Sequence, residues 1–348
     1  MAHELDINSG VASFVTARTD AWHGLGVTLQ DSFTAEEAMT FAHLGGWNVR
    51  KAPLFASLGE AVPNGKPNTI ALPDKFAVLR DNPINKHQID QLGVVGESYN
   101  IIQNEAHAEF LNTLVDESGA HFETAGALQG GRKVFISMKM PGHMKIGGVD
   151  AVDTYLAAIN SHDGSMAFTM MATPVRVVCA NTLNMAFQNH SHIFRTRHTS
   201  GVGSLQHVQK AREVMDLTFS YIQDFQDEAN KLINTVLTQA KFEAILEKEF
   251  GAPKDAAEAT ITRAEVRIGE MARLFADAGT QAEIRNTAWA GLNAMTEWYD
   301  HFSPTRGATP LMSRHEKALL DPSFKNRALV LMNKVAEPKR ARSAKVSA

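Results

Sequence analysis

The chain has 348 residues, 34 Lys and Arg against 38 Asp and Glu, a formal net charge of −4 and 44% hydrophobic residues. A chain of this size and mix folds by burying a core, and its composition excludes a disordered, collagen-like or membrane-embedded protein. No apolar run is long enough to span a bilayer, the polar start lacks the apolar stretch of a secretory signal, and the lone Cys179 can form neither an intramolecular disulfide nor a cysteine-rich zinc site, so a soluble cytoplasmic protein without membrane association is expected.

In chain order, Thr34 with Glu37 forms a capping-box pattern that predicts a helix over 35–43. A strand is expected over 47–55, a Gly-, Pro- and Asn-rich loop over 59–73, strands over 75–80 and 92–98, and a helix over 104–117. Residues 121–140 read as a hairpin turning at Gly130-Gly131, with alternation in Lys133-Val134-Phe135-Ile136-Ser137-Met138. A second hairpin joins 152–160 to 165–172 through Asp163-Gly164, which suits a tight reversal with positive φ at the glycine. Thr173-Pro174 then has the look of a cap followed by a first helical residue, so a helix is expected to open there. From about residue 204, Val208, Ala211, Met215, Thr218, Ile222, Phe225, Ala229, Leu232 and Val236 keep a three-four spacing suited to a core or an oligomer seam, and 261–302 is again helical. The expected organisation is a mixed α+β core over 1–200, a helical region over 201–335 and a mobile basic tail over 336–348.

Several motifs carry a resemblance. The run Asn160-Ser-His-Asp-Gly-Ser165, continued in Thr173-Pro-Val-Arg-Val-Val-Cys-Ala-Asn-Thr-Leu183, comes with Trp22-His23-Gly24, with Leu92-Gly-Val-Val-Gly96, Tyr99 and Gln103-Asn104, with Gly126 and Gly131-Arg132, and with Asn293-Ala-Met-Thr-Glu-Trp-Tyr-Asp-His301. Taken together and in this order they resemble the family of domain of unknown function 932, whose members are also called phage/plasmid-like proteins. The resemblance spans nearly the whole chain and implies a prophage or mobile-element setting, with no settled activity attached. In coarse architecture, hairpins followed by a long helix look like ring-forming single-strand annealing proteins, an analogy of fold alone.

Chemistry concentrates in a few places. Asn160, His162, Asp163, Arg176, Asn181 and Asn184 gather around a turn that feeds the expected helix start, where Arg176 and free N–H groups suit a phosphate; they equally suit an internal capping network in which Arg176 pairs with Asp163. If 190–199 is extended, Arg195 and Arg197 share one face and Phe194 lies on the other, segregating phosphate-binding charge from a stacking ring; scattered charge on an exposed loop is the alternative. Arg132 and Lys133 add a basic hairpin tip. Asn293, Glu297, Asp300 and His301 fall at spacings of three and four, as a carboxylate metal site on a helix requires, or else decorate an amphipathic helix whose Trp289, Leu292, Met295 and Tyr299 point inward. The phosphate-loop, dinucleotide-binding and nucleophile-elbow patterns are missing, and Cys179 falls on the apolar face of its expected helix.

The sequence therefore predicts an α+β protein, without a cofactor, that binds single-stranded DNA or RNA non-enzymatically as a homo-oligomer, with strand annealing as the elaborated form. In this reading Arg132, Lys133, Arg195 and Arg197 meet phosphates, Phe194 stacks on a base, and the turn with Asn160, His162, Asp163, Arg176 and Asn181 orders the groove. The alternatives are a metal-dependent enzyme acting on nucleic acid through His162 and Asp163 or Glu297 and His301, and a phage factor that binds a host protein through its helical half.

Overall fold

The computed structural model describes residues 5–17, 26–59, 68–176, 193–199, 213, 223–304 and 323–337. Antiparallel pairing dominates the first half. A short ribbon joins β1 (Ile7–Asn8) to β2 (Val11–Ala12), and β3 (Phe14–Thr16) runs parallel to β4 (Val27–Thr28). Helix α1 (Ala35–Phe41) carries the expected capping box, with the Thr34 hydroxyl accepting from the Glu37 N–H and the Glu37 carboxylate accepting from the Thr34 N–H. A three-stranded meander follows: β5 (Arg50–Ser57), β6 (Thr69–Asp81) and β7 (Ile89–Gly96). The loop expected up to residue 73 is thus shorter, because β6 already pairs with Ser57 at Thr69.

Helix α2 (Asn104–Ser118) leads into β8 (His121–Leu128), β9 (Lys133–Lys139), β10 (Met144–Ile146), β11 (Asp150–Ser161), β12 (Phe168–Arg176) and β13 (Ile193–Thr196). With β3 and β4 these make an eight-stranded sheet in the order β13-β12-β11-β9-β8-β3-β4, in which β10 extends the β9 side of β11. Strand alternation sorts the side chains. Val134, Ile136, Met138, Leu156 and Ala158 face a core shared with α1, α2 and the meander, whereas Phe135 and Ile159 join Leu5, Ala12, Phe14 and Leu128 in a smaller cluster. A bulge at Glu123 shifts the β8–β9 register, so that Phe122 and Ala125 both reach the main core.

The stretch after the second hairpin departs from expectation. Thr173-Pro174 does not open a helix: the ladder with β11 runs on through Arg176, and Pro174 stands opposite Thr154. Strand β13 pairs only with residues 168–171, so among the described residues the far side of Pro174 carries no ladder. A residue without an N–H is tolerated at such an open edge, and the Thr-Pro pair serves a strand as well as a helix cap. Cys179, Asn181, Asn184, the Trp22–Gly24 segment and the basic tail from residue 338 lie outside the described residues, while Ala336, expected at the start of the tail, is still helical.

The helical half comprises α3 (223–233), α4 (Gln239–Phe250), α5 (Glu258–Asp277), α6 (Ala288–Glu297), a π turn (Trp298–Phe302) and α7 (Ser323–Ala336). Phe225, Ala229 and Leu232 of the periodic stripe pack inward, and α6 is buried along its whole length. This second core takes in Met144, Ile146 and Val152 from the sheet. Polar ties join the same two parts: Trp289 Nε1 donates to the Asp150 carboxylate at 2.7 Å, and the Gly147 N–H donates to Asn230 Oδ1 at 2.8 Å. The helices are therefore seated on one end of the large sheet. Among the described residues no helix is long and apolar enough to cross a membrane.

One buried ion cluster joins the meander to the large sheet. Arg80 of β6 is 1% exposed; its Nη2 lies 2.7 Å from Asp6 and 2.9 Å from Asp90, and its guanidinium stacks 4.1 Å over the Trp47 ring. Removing one side of a buried pair leaves charges stranded out of water, at about 3–5 kcal/mol. Arg80→Ala is accordingly expected to lower the unfolding free energy by about 3–5 kcal/mol in urea titrations, and a loss below about 1 kcal/mol would show that the cluster is not structural.

Candidate functional site

The turn between β11 and β12 is built around Asp163. Its Oδ1 accepts from the Ser161 hydroxyl at 2.6 Å and from the Ser165 N–H at 2.9 Å, a local side-chain turn of the kind aspartate favours. Gly164 supplies the expected positive φ of 75°. Burial works against ionisation of Asp163, but the hydrogen bonds from Ser161 and Ser165, aided by the nearby Lys133 charge, outweigh it and hold the carboxyl below its ordinary range. It is an anion at neutral pH.

Beneath the turn the side chains are buried and neutral. His162 is completely buried; its N–H donates to the Arg132 carbonyl at 2.7 Å and its ring packs 5.7 Å from that of Trp47. Asn104 Nδ2 donates to the Leu44 carbonyl, so its Oδ1 is the acceptor that meets His162 Nε2 at 2.9 Å, and that nitrogen carries the imidazole proton. Burial, with His198 and Arg80 close by, holds His162 at a pKa of about 3. His107, edge-on to Phe168, is also held near 3 by burial and by His162, and neither of its ring nitrogens has a hydrogen-bond partner. Asn160 is fully buried and donates to the Ile102 carbonyl at 3.0 Å.

Above the turn lies an open cleft of about 520 Å³. Val94, Val95 and Gly96 of β7 form one side, Asp163 to Ala167 another, and Tyr99, Arg197, His198 and Thr199 complete it. Tyr99 and His198 stack with centroids 4.6 Å apart, and the Tyr99 hydroxyl donates to the Ser161 carbonyl at 2.5 Å. Burial and then the Asp163 charge raise the Tyr99 pKa, so the phenol stays a protonated donor. Burial lowers that of His198, whose Nδ1 lies 3.2 Å from the Asn100 carbonyl.

Close approaches explain the glycines at this place. A Cβ on Gly93 would lie 2.7 Å from the Asp163 Cα, so β7 can pass under the turn only as glycine. Gly131, at φ 85°, leaves room for the Arg80 guanidinium, with which a Cβ would collide. Gln103 exchanges two hydrogen bonds with the Val49 backbone, at 2.7 and 3.1 Å, joining the start of α2 to the meander. Gly93, Tyr99, Asn104 and Arg132 thus meet the stretch from Asn160 to Ser165. A family model described as "Domain of unknown function (DUF932)" matches residues 91–321. The chain belongs to the DUF932 family. No curated protein and no solved structure matches it.

Within this DUF932 chain the residues read from the sequence as a binding site divide in two. Asp163 and Arg197 line the same cleft, and Arg132 is exposed at the neighbouring hairpin tip that accepts from His162. Arg195 and Arg197 are exposed while Phe194, Thr196 and His198 are buried, which is the expected alternation. Phe194, however, does not offer a face to a base: it is 5% exposed and packs against Phe110 and Phe168, because the inner side of the edge strand covers the main core. Asn160 and His162 are likewise interior groups that hold the turn from below, and Lys133 is largely covered. Arg176 has its backbone in β12, opposite Val152, and not at a helix start; Asn181 lies outside the described residues. The late-helix cluster is drawn apart: Glu297 accepts from Thr280 and Gln281, and Asp300 pairs with the buried Lys325 at 2.8 Å. Among the described residues no group of three or more His, Cys, Asp or Glu is placed to hold a metal ion. Sequence reasoning missed Arg80, Trp47 and His107, most of whose partners lie in other elements.

Two histidines held near pKa 3 against an unfolded value near 6.5 make stability depend on pH. Below about pH 6.5 the unfolded chain takes up protons that the folded protein refuses, so stability is full above that pH and falls toward pH 3, by up to about 1.4 kcal/mol per pH unit per histidine. Protonation of Asp163 acts only below the ordinary carboxylate range, beneath most of this window. His107→Phe removes two unpartnered buried nitrogens and one of the two titrations. Denaturant titrations between pH 7.5 and 4.5 should find the variant no less stable at neutral pH and distinctly less acid-sensitive; an unchanged pH slope would contradict the assignment.

Proposed function

We propose that this DUF932 protein binds single-stranded nucleic acid across the cleft beside β13. The observation that carries the reading is the position of Arg195, exposed on the edge strand β13, and Arg197, exposed just past its end, with Arg197 also lining the cleft and Arg132 exposed at the adjoining tip. Neither Arg195 nor Arg197 has a hydrogen-bond or ion-pair partner among the described residues. Exposed guanidiniums without internal partners suit phosphate oxygens, and an open cleft with apolar walls at Val94, Val95, Met166 and Ala167 suits an unpaired base better than a rigid duplex. The phage/plasmid-like resemblance adds a setting, replication or recombination of mobile-element DNA in a bacterial cytoplasm, in which an oligomer would line up one arginine strip per subunit and anneal strands.

The test is fluorescence anisotropy of labelled single-stranded DNA, single-stranded RNA and duplex DNA over a salt series, with wild type and an Arg195→Ala/Arg197→Ala variant. Single strands are expected to bind more tightly than duplex, and loss of two phosphate contacts should reduce the slope of log affinity against log salt by about 1.4. Absence of binding at low salt, or a variant indistinguishable from wild type, would refute the reading.

A further inference from the structure

The cleft carries one cation and one anion, and this pairing restricts what can occupy it. Arg197 stands on its lining without an internal partner, while Asp163 takes its two close hydrogen bonds, from the Ser161 hydroxyl and the Ser165 N–H, on Oδ1, with the Ser165 side chain also beside its carboxyl. A carboxylate oxygen accepts hydrogen bonds and cannot donate them, so it favours a ligand group carrying N–H and opposes a carbonyl or a phosphate. The cleft is therefore not a simple phosphate site. A phosphate is held toward Arg197, and the part of the ligand that enters beside Asp163 is neutral and rich in donors.

We infer that Asp163 reads the bases of a bound single strand, accepting a hydrogen bond from the exocyclic amine of cytosine or adenine and discriminating against thymine and uracil, which present a carbonyl at that position. The inference rests on the nucleic-acid reading above. Volume and walls agree with it: about 520 Å³ has room for a base with its sugar, Val95, Met166 and Ala167 offer apolar contact, and the stacked Tyr99 and His198 rings close one side. Position agrees as well, since the carboxylate is fixed by two hydrogen bonds within its own turn, with Gly93 pressed against its backbone. An acceptor fixed in this way cannot swing aside to admit a carbonyl, and cytosine presents N4–H where uracil presents O4.

The fixed geometry also gives the outcome of one substitution. In Asp163→Asn the amide oxygen must remain on the Ser161 hydroxyl and the Ser165 N–H, because both are donors, so the amide NH2 takes the place of Oδ2. An acceptor becomes a donor with no change of shape.

The experiment measures anisotropy of oligodeoxycytidine and oligodeoxyuridine of equal length, which differ at C4, an amine against a carbonyl, and in the proton that uracil carries on N3, at slightly alkaline pH where cytosine is unprotonated. The full chain is used as wild type and as Asp163→Asn, with thermal melts to compare folding. Wild type is expected to prefer cytosine by at least about fivefold, and Asp163→Asn to remove or invert that preference through tighter uridine binding. The wild-type comparison stands by itself should the variant fold poorly. Equal affinity of wild type for the two oligomers, or a preference that a folded Asp163→Asn leaves intact, overturns base reading while the nucleic-acid reading survives. Failure to bind either oligomer at low salt removes both.

Discussion

The buried guanidinium of Arg80 is the constraint on which the arrangement of this protein depends. It draws together Asp6 ahead of the first ribbon, Asp90 at the start of β7, Trp47 before β5 and the β8–β9 turn at Gly131, four pieces that share no local sequence signal. A cation out of water requires anions at contact distance, and its partners require the cation in return, so none of these pieces can shift without stranding a charge. Trp47 passes the constraint on, since its other neighbour is the His162 ring. The positive charge also acts on His162 directly, adding to burial and to His198 in keeping the imidazole neutral. Neutrality leaves one ring proton, and Asn104 fixes it on Nε2.

The turn above inherits this order. His162 is tied to the Arg132 backbone, Tyr99 to the Ser161 carbonyl, and Asp163 to the serines on either side, so the cleft is floored by groups already in place. Polar groups held in advance lose little freedom when a ligand arrives, and binding specificity rises for that reason. The floor has a cost, because Asn160 Oδ1, His162 Nδ1 and both His107 nitrogens are buried without hydrogen-bond partners. An apolar core of the same volume would be more stable, yet it could not hold one tautomer and one turn geometry.

Local signals in the sequence were sufficient wherever the structure obeyed them locally. The capping box at Thr34 and Glu37, the hairpin over 121–140, the glycine at the Asp163 turn and the alternation through Arg195 and Arg197 all appear in the fold. Ambiguity entered where one pattern serves two structures. Thr-Pro is a helix opening or an open strand edge, and only the shortness of β13 distinguishes the two at Pro174. For Phe194 the alternation was legible but its direction was not, since Phe110 and Phe168 come from another helix and another strand. Glu297 and Asp300 show the same limit: their spacing suits a metal, while Thr280, Gln281 and Lys325 answer their hydrogen bonds and charge from elsewhere. Arg80 and Trp47 had no sequence signal, because a contact between remote residues leaves no periodicity.

Net charge decides nothing here, for a related reason. Arg80 and Lys325 are both buried against aspartates, so these cations contribute little to the outer field, while Arg132, Arg195 and Arg197 lie at the surface. An approaching anion sees the distribution, screened over about 8–10 Å at ordinary salt, and not the sum of −4. At a distance the acidic average opposes a polyanion; within a screening length of β13 the local strip attracts it. Association with a single strand under the proposed function therefore gains little from long-range steering and depends on short-range capture, where the fixed carboxylate of Asp163 sets a boundary on the arginine strip. Under that proposal a phosphate chain would follow Arg195 and Arg197 and be turned away from Asp163, so a strand with its backbone on the arginines would point its bases toward the cleft.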